Sequence, residues 1–176
     1  WVERATALRG EAAGQRVDGP GRVLVERTRE GLLFLDPGEA GVAPPTALPL
    51  AEGDPTRFGS TEWSVTVRRV ATHAVDPAAG RRDRDTAWLD PSSAPGPWRV
   101  RAAKPGDRFW PLGAPGPVEL RRFFQARHVP RFDRVRLPLV VDRDDRILWE
   151  SGVEIGHPHR ATAASRELRE LHLAVG

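Results

Sequence analysis

The chain of 176 residues contains no cysteine and no methionine, and Lys104 is its one lysine. Without cysteine it can form no disulfide, no thiolate metal centre and no cysteine nucleophile. A cysteine-free chain is compatible with a cytoplasmic protein, and that is the location expected. No apolar run approaches a membrane span, and no charged-then-apolar segment reads as a signal peptide. Because Met is missing and position 1 is Trp, a fragment or processed piece is expected. There is no Walker loop, Rossmann fingerprint or nucleophile elbow. The 27 basic and 24 acidic residues nearly balance, which speaks against a disordered polycation. The length suits one ordinary domain or two small ones, with enough chain to bury a core.

What the sequence does have is a local concentration of charge. Between Trp98 and Arg136 lie ten bases (Arg99, Arg101, Lys104, Arg108, Arg121, Arg122, Arg127, Arg131, Arg134 and Arg136) and three acids, Asp107, Glu119 and Asp133. That stretch carries +7 in a chain of net +3, so the remainder sums to −4. Aromatics lie among the bases: Trp98, Phe109, Trp110, Phe123, Phe124 and Phe132. Cations suit phosphates and flat apolar rings suit bases, so the pattern fits nucleic acid. A solvated, salt-bridged surface fits the charge as well. The near-exclusive use of arginine has a plain cause in GC-rich coding, yet guanidiniums also favour forked contacts to phosphate.

Periodicity predicts a β-rich α+β fold, largely antiparallel. A short helix ends near Arg9. Strands are expected at Arg22–Arg27 and Leu32–Leu35, joined by a loop at Thr28–Gly31, and again at Thr61–Val70 and Thr86–Leu89. Asp36–Pro55 and Asp76–Arg84 read as Pro/Gly-rich loop and turn, with a short strand at Thr46–Leu50. Asp90–Pro97 (DPSSAPGP) reads as a linker. The expected division is 1–15 as the end of a preceding helical domain, 16–95 as a β-rich subdomain and 96–176 as a second module. In the latter, Trp98, Val100 and Ala102 alternate with Arg99, Arg101 and Ala103, so one strand face presents two guanidiniums. Pro117 is placed to open the main helix, near 118–128, with Leu120, Phe123 and Phe124 on one face. Leu137–Val141 and Ile147–Trp149 form a hairpin turned by Asp142–Asp145. For 161–176 two readings stand, and a short helical or irregular piece followed by a strand is favoured. Trp63, Trp149, Phe34 and Leu139 are expected in the core.

Other groups admit chemical readings. Gly113–Gly116 before the helix is either a phosphate seat or a tight turn; Pro115 and Pro117 remove donors, which favours the turn. Asp107 and Phe109 are expected to form a structural corner in which Asp107 orients a nearby arginine. Glu154, His157 and His159 are of metal-ligating type, but Pro158 marks a loop and spacing fixes no further ligand, so no metal is expected. Asp142, Asp144 and Asp145 fail as a calcium loop, because Ile147 stands where a Gly is needed and Val153 where a Glu is needed. A hydrolase using Asp107 and a histidine has no base–nucleophile pair at a supporting spacing.

The order and spacing of WRVR at 98–101, KPGDRF at 104–109, PLG at 111–113, LRRFF at 120–124, VP at 129–130, RVRLPLV at 134–140, ILW at 147–149 and Gly152 resemble the C-terminal domain of bacterial tRNA(Ile)-lysidine synthetases. The likeness covers about 98–155. Gly21–Leu35 is similar to the β-rich segment preceding that domain, and the opening helix to the end of the family's helical middle domain. The resemblance implies a parent ligase that adenylates C2 of the wobble cytidine of tRNA(Ile) and joins lysine to it, using ATP, Mg2+ and lysine. Its catalytic centre is an N-terminal PP-loop domain with a Ser-Gly-Gly-x-Asp-Ser signature, which this sequence lacks. The chain is therefore expected to be non-catalytic and cofactor-free, docking the tRNA acceptor stem through the ten bases named above. The alternative is an interaction module whose basic face packs against the catalytic domain of the same enzyme.

Overall fold

The computed structural model describes residues 2–11, 15–27, 31–35, 46–59, 61, 63–74 and 85–175. Of the loops expected at 28–31 and 36–55, residues 28–30 and 36–45 lie outside them, as does the turn expected at 76–84. Two compact units divide the chain: Trp1–Ala43 with Arg121–Arg136, and Pro44–Leu120 with Leu137–Gly176.

In the first unit, α1 (Val2–Ala7) is followed by strands β1 (Arg16–Asp18), β2 (Leu24–Arg27) and β3 (Leu32–Leu35) in one antiparallel sheet. Ala5, Leu8, Val17 and Val25 form its core. β1 was not expected, since three residues with one apolar side chain carry no alternation. Phe34 corrects the expected core: it is 58% exposed, and Leu35 beside it is buried. Four consecutive apolar residues show no period of two, so sequence alone leaves the buried face of β3 open.

Helices α2 (Leu120–Ala126) and α3 (Arg131–Arg136) follow one another closely. The helix expected from Val118 starts at Leu120, because Val118 and Glu119 pair as strand β10 with β9 (Arg108–Phe109). Leu120, Phe123 and Phe124 are its buried face. A Schellman cap closes α2: His128 N–H donates to Gln125 O at 3.0 Å and Val129 N–H to Phe124 O at 2.9 Å, with His128 left-handed at φ 56°. Pro130 then serves the next helix, its carbonyl accepting from Arg134 N–H at 3.2 Å. α3 was not foreseen, as six residues are too few to display a helical period.

The second unit holds two larger antiparallel sheets. One has the order β13-β12-β11-β8-β4, built from β4 (Leu48–Pro49), β8 (Arg99–Arg101), β11 (Leu139–Val141), β12 (Ile147–Glu150) and β13 (Glu154–Ile155). The other runs β5-β6-β14-β7, from β5 (Thr56–Arg57), β6 (Trp63–Val70), β7 (Thr86–Leu89) and β14 (Leu168–Val175). A single core draws Val65, Val67, Leu89, Leu171 and Leu173 from one sheet and Val100, Val140, Leu148 and Trp149 from the other. Each large side chain so buried contributes about 1.5–3 kcal/mol. The tail is decided in favour of strand: β14 pairs along all of β6, from Leu168–Val70 to Val175–Trp63. The fold is the expected antiparallel α+β class.

The proposed linker at Asp90–Pro97 lies inside the second unit. The Asp90 carboxylate caps a turn by accepting from Ser92 N–H (2.9 Å), and the buried Trp98 donates its indole N–H to Ala94 O (2.8 Å). Proline and glycine there shape a packed corner, with Ala94 and Trp98 in the core. Among the described residues no helix is long and apolar enough to cross a membrane.

Candidate nucleic-acid interface

The ten bases divide between the units: Arg99, Arg101, Lys104 and Arg108 fall in the second, Arg121 to Arg136 in the first. In the second unit the bases are heavily partnered. Arg101 is 2% exposed and does not present an open guanidinium on β8. It forks onto Asp107, Nη1 to Oδ2 at 2.8 Å and Nη2 to Oδ1 at 2.9 Å, while Nε donates to Asp145 at 2.8 Å and Nη1 also to Ala102 O. Burial disfavours its charge, but the hydrogen bonds and charges of Asp107 and Asp145 outweigh that and raise its pKa. Asp145 is held below the ordinary carboxylate value: burial pushes it up, and Arg101 and Lys104 pull it down further. Arg99 (3.6 Å) and Lys104 (3.3 Å) also approach Asp145. Arg108 is exposed and donates to Pro117 O at 2.8 Å.

Asp107 is placed by a type II turn, with Pro105 at the second position and Gly106 at φ 86° in the third. Its Oδ2 accepts from Lys104 N–H at 2.7 Å, and Phe109, two residues on, is buried. The Asp142–Asp145 turn likewise uses its own carboxylate. Asp142 is fully buried, its Oδ1 accepting from Asp144 and Arg146 N–H (2.9 Å each) and its Oδ2 from Arg146 Nε (2.7 Å). Asp142→Ala removes both acceptor oxygens and with them these three hydrogen bonds, and is expected to cost about 2 kcal/mol in urea denaturation. Asp142→Asn, which keeps Oδ1, should cost less; equal losses would mean that the backbone contacts carry nothing.

In the first unit Arg121, Arg122, Arg127 and Arg131 are exposed and Arg134 and Arg136 half-buried. Arg127 lies over the Phe123 ring, 5.4 Å from its centroid. Arg131 and Arg134 face a groove of about 510 Å³ together with Arg121, Arg27 and Glu26. Glu26 is fully buried; it accepts from Arg16 Nη2 at 3.1 Å and from Arg131 N–H at 2.9 Å. Burial lowers the Arg134 pKa, and the like charges of Arg131, Arg16 and Arg121 add to that effect against the pull of Glu26. Sequence reasoning missed Glu26, Arg16 and Asp145. Glu26 stands 105 residues from Arg131 and Asp145 stands 44 from Arg101, and no local pattern links either pair.

The aromatic platforms are corrected. Trp98, Phe109, Phe123 and Phe124 are buried, because strand and helix periods turn them inward. Trp110 stacks on His157 at 5.3 Å. His157 Nδ1 accepts from Gly113 N–H at 3.0 Å, and His159 Nδ1 lies 3.1 Å from Ser93 Oγ. Among the described residues no group of three or more His, Asp or Glu side chains is arranged to hold a metal ion.

Residues 98–171 match the family described as TilS substrate C-terminal domain. This chain carries the C-terminal domain of the TilS family. The tRNA(Ile)-lysidine synthase of Symbiobacterium thermophilum is 39% identical over 99 residues, covering 55% of this chain and 20% of that protein. The same enzyme of Geobacillus kaustophilus is 31% identical over 153 residues, covering 83% and 30%. The chain thus spans less than a third of the length of these relatives. A crystal structure of a TilS C-terminal domain shares the fold, with TM-score 0.63 and 23% identity over 74% of this chain and 96% of that one. All ten bases fall within the segment that matches the TilS C-terminal domain.

Proposed function

We propose that this TilS C-terminal domain is a tRNA-docking module of a tRNA(Ile)-lysidine synthase, seating the acceptor stem while a separate catalytic domain works on the wobble cytidine with ATP, Mg2+ and lysine. The enzyme is cytoplasmic in this reading. The observation that carries it is the arginine density of 121–136, six bases against one acid, with four of the guanidiniums exposed. An A-form stem is recognised mainly through phosphates and 2′-hydroxyls, which forked guanidinium donors suit. Phosphate contacts set register, and register at the stem positions a distant anticodon. Arg101 contributes as a structural residue in this reading, since its donors are spent on Asp107 and Asp145. Arg99 and Lys104 are partly neutralised by Asp145, which leaves the first-unit arginines as the main contacts.

The test is a salt titration with an acceptor-stem minihelix. If about four phosphates are engaged, log K falls against log salt with a slope of about −3 to −4. Arg121→Glu with Arg122→Glu should abolish binding and leave the melting temperature unchanged. A flat salt response, or no binding at low salt, refutes the reading; unchanged affinity in the double variant removes those two residues from the interface.

A further inference from the structure

The first-unit groove is lined by Arg27, Arg121, Arg131 and Arg134 together with Glu26. The charges of Arg131, Arg16 and Arg121 each disfavour the charged form of Arg134, and Glu26 favours it. Glu26 is already committed, one oxygen to Arg16 and the other to the Arg131 amide. Arg134 is aimed rather than loose, because its Nε–H donates to Val129 O at 2.9 Å. Among the described residues neither its two Nη groups nor the Arg131 guanidinium makes a hydrogen bond or ion pair with a side chain or carbonyl.

We propose that this groove receives one phosphate group of RNA, held by the guanidiniums of Arg131 and Arg134, with Glu26 anchoring the Arg131 backbone amide and Val129 O aiming Arg134. The source of the phosphate rests on the docking reading above; the anion chemistry does not. Clustered guanidiniums repel one another, and a bound phosphate removes that repulsion while taking charge-assisted bonds from both forks. Glu26 supplies the opposing sign within the protein without closing the groove, since its oxygens point their bonds at Arg16 and at backbone. The volume, about 510 Å³, exceeds a phosphate alone and admits the attached ribose. Two sources share this chemistry: the 5′-terminal monophosphate of the stem and an internal phosphodiester.

The experiment uses the 176-residue chain, with Arg131→Gln, Arg134→Gln and the double variant, their folds checked by thermal melting. Arg166→Gln, an equal charge change on an exposed second-unit residue, is the control. Pyrophosphate binding is measured by calorimetry at low salt, and minihelix binding is measured with a 5′-phosphate and with a 5′-hydroxyl. Pyrophosphate should bind wild type and the control, and binding should weaken at least about tenfold in the double variant. Minihelix affinity should fall in parallel. An equal loss for both minihelices assigns an internal phosphodiester; a loss confined to the phosphorylated one assigns the chain end. Pyrophosphate that fails to bind, or that binds the double variant as well as wild type, overturns the groove. The two readings separate cleanly: RNA binding untouched by the substitutions keeps docking and refutes the groove, whereas specific pyrophosphate binding by a chain that ignores RNA keeps an anion site and refutes docking.

Discussion

Replacing Arg101 by Ala is expected to lower the unfolding free energy by about 3–5 kcal/mol, the loss typical when one partner of a buried ion pair is removed. The reason lies in the two carboxylates left behind. Asp145 is 42% exposed and can regain water while keeping Lys104. Asp107 is 11% exposed; it keeps the Lys104 amide but loses both prongs of the fork. For a chain of this length the change corresponds to a drop in melting temperature of roughly 6–20 °C. Arg101→Lys should lie between, because one ammonium cannot reproduce two parallel bonds to Asp107 and a third to Asp145. If Arg101→Ala melts like wild type and instead weakens RNA binding, the structural assignment of this residue is wrong. The groove arginines should behave in the opposite way, losing ligand with little change in melting.

The second large effect belongs to Glu150. Its side chain is fully buried on β12, and neither carboxyl oxygen has a hydrogen-bond partner among the described residues. Burial raises its pKa well above the ordinary 4.5, and the charge of Glu154, its neighbour across the β12–β13 pair, adds to the shift. The sign follows from proton counts. Above pH 4.5 the unfolded chain releases the proton and the native chain keeps it, so the unfolded state binds fewer protons and unfolding becomes easier as pH rises. This contribution to stability is fully present below pH 4.5 and is lost as pH climbs towards the native pKa, at about 1.4 kcal/mol per pH unit. Glu150→Gln abolishes the titration at nearly constant shape. The variant should match wild type near pH 4 and exceed it by up to about 3 kcal/mol at pH 7 in denaturant titrations. Parallel pH profiles for the two proteins would show that Glu150 ionises natively at no cost.

Much of the architecture was legible because it is local. Trp63, Val65 and Val67 alternate with polar residues, and β6 is where that alternation is. Leu120, Phe123 and Phe124 recur at helical spacing, and α2 buries them together. The hairpin of β11 and β12 announces itself through apolar runs on either side of an acidic turn. The errors fall where local pattern is silent or shared. Phe34 sits in a run without alternation, Val118 and Glu119 joined a strand in place of the helix that Pro117 invited, and the Pro-rich stretch at 90–97 looks the same as a linker or as a packed corner.

By itself, then, the sequence determined the antiparallel α+β class, the family likeness and the concentration of positive charge between 98 and 136, since each is written in composition, spacing or short-range period. Only the tertiary structure decided what each cation is for. It buried Arg101 between two aspartates, one of them 44 residues away in the chain, and set Glu26 among arginines from a helix 105 residues distant. A guanidinium's availability depends on the carboxylates and solvent around it, and those neighbours are chosen by long-range packing that no local pattern records.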